Sequence, residues 1–250
     1  MNSLELADVI AEPIGKVGMA YYFCPLATER AEAAGSNAAY LYAAGRGGVL
    51  GDCDPTEVEE AFFFFNEGMV AHLTTKGRES FTPAEAAAAH LDVANEFART
   101  TFGAIDEDVL VGFSSAAAAV LAAAPRGRWP LVDGYLALTA SLDPDAEAYY
   151  WSIVLRELRG ANHIDAVTAV GLTAAQACQL DSNPLAYPLH GYTDEQRSEA
   201  TPELVAARAA AERDTSVRMA ALFDVLDDAQ RDALATGAAA LFAALPADAG

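Results

Sequence analysis

The tetrapeptide Asp54-Pro55-Thr56-Glu57 is a complete helix-start signal, and related tetrapeptides recur along the chain. Its aspartate can cap the first turn, its proline suits the first helical position, and its glutamate can return a hydrogen bond to the cap. The signal predicts a helix that runs through Phe62, Phe65 and Met69.

The same pattern predicts many further helices, and glycines predict where they end. The strong starts are Thr82-Pro83-Ala84-Glu85, Thr173-Ala174-Ala175-Gln176, Thr193-Asp194-Glu195-Gln196 and Asp227-Asp228-Ala229-Gln230, the weaker ones are Asp143-Pro144 and Thr201-Pro202, and the stops are Gly35, Gly77, Gly103, Gly127, Gly160 and Gly171. Runs of alternating β-branched residues are missing, so no strand is predicted. We therefore expect an all-α fold of about ten or eleven helices.

The length and hydrophobic content of the chain predict one large helical domain. With 250 residues, of which 53% are hydrophobic, the chain can bury a sizeable core. Two prolines and a glycine interrupt the helical pattern between Pro125 and Pro130. We predict a single domain over residues 1–250, built as a bundle of two packed halves, 1–125 and 130–250, with a hinge at 125–130.

The charge of the chain argues against anionic partners. The formal net charge is −21, with 36 acidic and 15 basic residues. Such a field repels nucleic acid and anionic membranes, although acidic surfaces also serve solubility alone. No export signal or membrane-spanning run is evident, so we expect a cytoplasmic protein without a membrane partner.

A helix-turn-helix pattern occupies residues His163 to Gln179, with Gly171, Leu172 and Thr173 at the turn. No Lys or Arg occurs from Gly160 to Gln196. Glutamines in the second helix could touch base edges, but such contacts need flanking cations on the phosphates. The pattern alone therefore argues against nucleic acid as a partner.

Short motifs along nearly the whole chain resemble an actinobacterial all-helical family described as helix-turn-helix. The similar segments are Trp151, Leu155-Arg156-Glu157, Arg159-Gly160, His163, Gly171-Leu172, Tyr22 to Pro25, Gly45 to Gly51, Phe62 to Val70 with Asn66, and Gly191 to Glu195. The resemblance implies a winged-helix arrangement in the C-terminal part. Residues 197–203 leave almost no room for a two-stranded wing, so we expect a degenerate, wingless version.

The most polar run of the chain is the candidate catalytic site. If Gly160 ends a helix, His163 lies in the first turn of the next one, where the helix dipole favours its neutral form. His163 could then act as a base, Arg159 could anchor an anionic group, and Glu157 could orient either side chain. Alternatively, these residues form an ion-pair network that ties helices together.

Aromatic residues of the N-terminal half predict a ligand pocket with an arginine rim. Pockets between helices commonly have aromatic walls, although such residues more often fill a core. The glycines around Arg46 could let a ligand approach the backbone or could end a helix. The candidate ligand-binding residues are Arg46, Phe62, Phe65, Asn66, Trp151 and Arg156.

The remaining residues give no sign of a metal or a cofactor. Cys24, Cys53 and Cys178 have no paired spacing and are expected to be reduced and buried. Histidine spacings typical of zinc sites are missing, so neither a metal nor a cofactor is expected. The sequence predicts a protein that binds a largely apolar small molecule in an aromatic-lined pocket, with a homodimer as its expected assembly. It would act either without catalysis or as a cofactor-independent biosynthetic or detoxifying enzyme that uses acid–base or electrostatic catalysis. The alternative is a transcriptional regulator or interaction module.

Overall fold

A computed structural model describes residues 1–138 and 143–247, and within them the fold is all-helical with no strand. The first seven helices are α1 (Ser3–Met19), α2 (Pro25–Ala33), α3 (Ala38–Gly48), α4 (Pro55–Phe62), α5 (Met69–Gly77), α6 (Pro83–Phe102) and α7 (Glu107–Ala123). The next six are α8 (Pro130–Ala137), α9 (Pro144–Ala169), α10 (Ala174–Gln179), α11 (Ala186–Leu189), α12 (Pro202–Phe223) and α13 (Asp228–Ala243). A 3₁₀ helix, Asp194–Gln196, precedes α12.

The predicted start signals form as capping boxes. Those at Asp54, Thr82, Thr173 and Asp227 open α4, α6, α10 and α13 with reciprocal hydrogen bonds between the cap and the third helical residue. The box at Thr193 opens only the short 3₁₀ helix. More helices form than expected because several, including the four-residue α11, are too short to give a periodic pattern.

Two predicted helix boundaries are wrong. The helix that starts at Asp54 does not continue through Phe65, because α4 ends at Phe62 and the chain turns before α5. Gly160 does not end a helix either, since α9 runs unbroken for 26 residues from Pro144 to Ala169. A glycine inside a helix costs only about 1 kcal/mol, which packing on several sides of α9 readily offsets.

α9 is the central element of the fold. It packs against α1, α6, α7, α8 and α12, while α1 also packs against α12 and α13. Helices from both halves of the sequence therefore share one large core. Residues 124–129 join α7 to α8, and the predicted division at this connection stays a prediction.

A smaller core supports the helix-turn-helix region. The end of α9, α10 and the first turns of α12 enclose Ala166, Val167, Leu172, Ala177 and Ala211. Phe63 and Phe64, which follow α4, pack against this cluster from outside. Between α10 and α12 the described chain forms α11 and the 3₁₀ helix rather than a two-stranded wing.

Several polar side chains are buried inside the large core. The His90 Nδ1 atom lies 3.2 Å from the Tyr21 hydroxyl, and the imidazole stacks on Tyr22 with ring centroids 5.7 Å apart. Burial lowers the pKa of His90 to about 3, so the ring is neutral at physiological pH.

The three cysteines are free, and only Cys178 is fully buried, so Cys24 and Cys53 are more accessible than expected.

Helices α3 and α6 approach closely because α3 is rich in glycine. A Cβ atom on Gly48 would lie 2.3 Å from the Pro83 carbonyl oxygen, and one on Gly45 would lie 2.5 Å from the His90 Cβ. The glycine flanks of Arg46 therefore serve helix packing. This is a third explanation, beyond the ligand approach and the helix end that the sequence suggested.

Candidate functional site

A cleft of about 1680 Å³ opens between α1, α9, α12 and the turn that follows α4. We call it the central cleft. Phe62, Phe64 and Phe65 line one part of it, and Trp129 and Leu131 line another. Its volume exceeds that of a typical small-molecule pocket, which is roughly 300–1,000 Å³.

The four consecutive phenylalanines that begin at Phe62 separate into two pairs. Phe62 and Phe65 lie near Tyr42, whereas Phe63 and Phe64 pack against the smaller core. Phe63 has φ of +61° and ψ of −54°, and the Phe64 N–H donates to the Phe62 carbonyl at 2.7 Å, so the chain makes a γ-turn. Such a turn is strained and rare for a residue with a bulky side chain. It directs Phe62 and Phe65 towards Tyr42, with ring centroids 5.8 and 6.4 Å away.

A buried ion-pair network lies beside this aromatic wall. Glu157 on α9 accepts hydrogen bonds from the Arg46 Nε atom at 2.9 Å and from its Nη2 atom at 2.7 Å. The Arg46 guanidinium also lies over the Phe62 ring, 4.0 Å from its centroid. Arg156 donates from Nη1 to Glu157 at 3.1 Å and to the Tyr22 hydroxyl at 3.0 Å. Two guanidinium groups thus share one carboxylate.

The surroundings of Glu157 decide its protonation state. Burial raises the pKa of this carboxyl, since only 3% of the side chain is exposed. The charge and hydrogen bonds of Arg46, together with the charge of Arg156, outweigh burial and leave the pKa below its usual value. Glu157 is therefore ionised at neutral pH, and the three charged groups carry a net charge of about +1.

Arg159 and His163 belong to a second network, centred on Glu212 of α12. Glu212 pairs with Arg159 at 3.0 Å and with Arg208, which also pairs with Asp181 at 3.1 Å. The His163 Nε2 atom lies 3.7 Å from Glu212. The structure therefore separates the candidate catalytic residues, because Glu157 lies in one network and Arg159 and His163 in the other.

His163 lies behind the cleft wall. Its Nδ1 atom is 2.9 Å from the Thr215 hydroxyl, and its ring stacks on Phe64 at 5.6 Å, so that Phe64 lines the central cleft in its place. Burial lowers the pKa of His163 to about 4, although Glu212 opposes the shift. The imidazole is neutral as expected, but the cause is burial in the middle of α9 rather than the dipole of a helix start.

Two other candidate ligand residues lie elsewhere. Asn66 holds the segment before the 3₁₀ helix, because its side chain donates to the Gly191 carbonyl at 3.0 Å and its backbone N–H donates to the His190 carbonyl at 2.8 Å. Trp151 donates to Glu147 at 3.3 Å and packs on Tyr150. Of the six candidates, Arg46, Phe62, Phe65 and Arg156 line the cleft.

Several residues of the site were missed at the sequence level. His190 lines the cleft with its ring 4.6 Å from Phe65, and Tyr42 lies within hydrogen-bonding distance of Arg46, 3.4 Å from Nη1. The Pro- and Gly-rich segment around His190 was a signal for a loop near a pocket. Glu212 gave no signal, because it is one of many charged residues on α12.

The helix-turn-helix region has the predicted turn. Gly171 adopts φ of +75° between α9 and α10, and Thr173 and Gln176 exchange the capping hydrogen bonds. The Gln179 side chain donates to the Ser198 carbonyl at 2.7 Å and accepts from the Ser198 N–H at 3.0 Å. Both glutamine side chains of α10 thus make hydrogen bonds within the chain.

A family model described as a helix-turn-helix family matches residues 7–250. The chain belongs to this helix-turn-helix family. Membership agrees with the resemblance seen in the sequence and with the turn between α9 and α10. No curated protein and no solved structure matches the chain.

Family membership corrects one expectation about partners. The charge and the lack of cations near α10 argued against nucleic acid, but the helix-turn-helix family model points towards nucleic-acid binding, so that expectation is wrong. The local charge pattern could not reveal this, because charge determines how strongly a surface attracts phosphate and does not identify the fold of the protein.

In the described residues, no helix is long and apolar enough to cross a membrane.

Proposed function

We propose that this helix-turn-helix protein binds a largely apolar small molecule in the central cleft. The observation that carries the proposal is the aromatic wall of Phe62, Phe64 and Phe65 beside the buried Arg46. Ligand sites typically combine a mainly apolar lining with a few fixed polar groups. The strained turn at Phe63 adds support, because such strain concentrates at functional sites.

Gly160 offers a direct way to test this proposal. It lines the cleft, and a Cβ atom added there would meet no atom within 4 Å. The series Gly160→Ala, Gly160→Leu and Gly160→Trp should therefore fill the cleft progressively without disturbing α9. As a matched control, Ala122→Trp adds the same indole to an exposed position of α7.

The probe is 1-pyrenebutanol, a neutral apolar fluorophore, titrated with each variant and followed by fluorescence anisotropy. We expect saturable binding to the wild type and to Ala122→Trp, and progressively weaker binding along the Gly160 series, with Gly160→Trp the weakest. Circular dichroism and the urea midpoint show whether each variant is folded. Unchanged affinity in a folded Gly160→Trp protein would reject the cleft as the binding site.

Family membership favours a second candidate function, a transcriptional regulator that binds DNA through α10. A selection from random duplexes tests it, followed by anisotropy of the selected duplex at two salt concentrations. Ala175→Glu adds a negative charge to the accessible side of α10, and Ala122→Glu is its control. Loss of binding in the first variant alone supports the regulator, whereas failure to enrich any duplex argues against it.

The geometry does not favour an acid–base catalytic role for His163, since Phe64 separates the imidazole from the cleft. A cytoplasmic location and a homodimeric assembly are proposals that rest on sequence alone. Cell fractionation tests the first. Sedimentation equilibrium tests the second, and a monomeric mass at micromolar concentration would contradict it.

A further inference from the structure

We propose that the small molecule bound in the central cleft carries a carboxylate, and that Arg156 is the residue that binds it. This inference rests on the proposed function, because it names the ligand class of the same cleft. It depends on three observations, which are the local charge balance, the unused donors of Arg156 and the pairing of the other cleft arginines.

The central cleft is far less acidic than the chain as a whole. Six of the 15 basic residues line it, with seven of the 36 acidic ones. The basic residues are Lys16, Arg46, Arg128, Arg156, Arg159 and Arg208. The cleft therefore concentrates cations in a protein that has few of them.

Most of these cations are already balanced by carboxylates. Arg128 pairs with Asp165 at 2.7 Å. The two arginines of the second network, Arg159 and Arg208, have the carboxylates of Glu212 and Asp181 between them. Each of these guanidinium groups has a partner carboxylate, so none needs a further anion.

The first network differs because it has one carboxylate for two guanidinium groups. Arg46 occupies both oxygens of Glu157, and its side chain is only 9% exposed. Within the part of the chain that the structure describes, Glu157 is the only carboxylate within 4 Å of either Arg46 or Arg156. One positive charge is left over, and it resides on the more accessible Arg156, whose side chain is 26% exposed.

The free donors of Arg156 suit a carboxylate. Its two hydrogen bonds both leave from Nη1, so among the described residues Nε and Nη2 have no acceptor. These two atoms form one edge of the guanidinium, which can donate two parallel hydrogen bonds to a carboxylate. Gly18 of α1 packs against the arginine stem, where an added Cβ would lie 2.9 Å from the Arg156 Cβ and Cδ atoms, so the stem is held in place.

The strong negative charge of the chain opposes the entry of an anion, but only at long range. At physiological salt, exposed charges more than about 8 Å apart are largely screened from each other. A bidentate contact at hydrogen-bonding distance in a partly buried site is screened much less. The local pairing with Arg156 therefore dominates once the ligand is in the cleft.

A matched pair of ligands tests the inference. 1-Pyrenebutyrate and 1-pyrenebutanol share their aromatic body and differ in the carboxylate, and both affinities are measured by anisotropy at pH 7.5. A hydrogen-bonded ion pair of this kind predicts a preference of about tenfold or more for pyrenebutyrate in the wild type. Arg156→Gln should bring the affinity ratio close to one, and Arg156→Lys should leave an intermediate ratio, because lysine keeps the charge without the bidentate edge.

Two further variants identify the responsible cation. Arg159→Gln should keep the wild-type ratio, because that arginine is balanced by Glu212. Lys16→Gln should also keep it, because the ammonium of Lys16 has no bidentate edge for a carboxylate. A wild-type ratio near one, a preference that survives Arg156→Gln, or a preference lost only in Lys16→Gln would overturn the inference. These outcomes differ from failure of the proposed function, in which neither ligand binds or Gly160→Trp blocks neither.

Discussion

Replacement of Glu157 by glutamine should strongly destabilise the protein. The side chain keeps its shape, but two guanidinium groups lose the carboxylate that they share. The Glu157 and Arg46 side chains are 3% and 9% exposed, so water cannot take over the lost interaction. Removal of one partner of such a buried pair typically costs about 3–5 kcal/mol, which is a fall in Tm of roughly 6–20 °C for a domain of this size.

The assay is urea unfolding followed by circular dichroism at pH 7.5, with m-values compared between variants. Glu79→Gln is the matched control, because the Lys76–Glu79 pair has the same 2.7 Å separation but side chains that are 40% and 62% exposed. We expect its unfolding midpoint to equal that of the wild type, since exposed pairs contribute little.

The double variant Arg46→Met, Glu157→Leu replaces both members of the pair by apolar side chains. It removes both charges and keeps apolar volume beside Phe62, so it should recover more than half of the stability lost in Glu157→Gln. A loss below about 1 kcal/mol in Glu157→Gln would refute the reasoning that burial makes this pair strong. A double variant that is less stable than Glu157→Gln would refute it as well.

Three further predictions follow from the packing. His90 has a folded-state pKa of about 3, so below pH 6.5 the unfolded chain binds a proton that the folded chain does not, and stability present above pH 6.5 is lost as the pH falls. Between pH 7.5 and 5.0 this protonation should lower the free energy of unfolding by about 2 kcal/mol. In urea unfolding of a folded His90→Gln variant, the loss over the same pH range should be smaller by that amount. The same pH dependence in both proteins would contradict the prediction. In urea unfolding, Phe63→Gly should be about 1 kcal/mol more stable than Phe63→Ala, because both variants lose the ring and only alanine keeps the strain of positive φ. Equal stabilities of the two variants would argue against that strain. Gly48→Ala should lower the urea midpoint, because its Cβ would lie 2.3 Å from the Pro83 carbonyl oxygen, and an unchanged midpoint would show that α3 and α6 can separate easily.

Helix starts could be predicted because their causes are local. At Asp54 and Thr82 the cap and its reciprocal partner are three residues apart, and both boxes form as expected. The turn at Gly171 is local in the same sense, because glycine accepts its positive φ without strain. The resemblance to the helix-turn-helix family rested on short sequence motifs, such as Gly191 to Glu195, which can also be read without the fold.

The candidate site was only partly predictable because its pairings are long-range. Arg46, Phe62, Phe65 and Arg156 all line the central cleft, and their role in binding a ligand stays a prediction. Arg46 and Glu157 are 111 residues apart, and no local rule says which carboxylate a buried arginine will find. Glu157 was thus assigned to the histidine cluster, whereas the packed helices place it against Arg46.

The sequence by itself determined the all-helical class, the main helix starts and the turn of the helix-turn-helix region, because capping and glycine conformations act over a few residues. Tertiary structure decided that α9 continues through Gly160, that α4 ends in a tight turn at Phe63, and that Glu212 rather than Glu157 binds Arg159. Burial gives the physical reason. Packing energy collected over many contacts exceeds a local preference of about 1 kcal/mol, and buried charges take whichever partner the packed helices bring within reach.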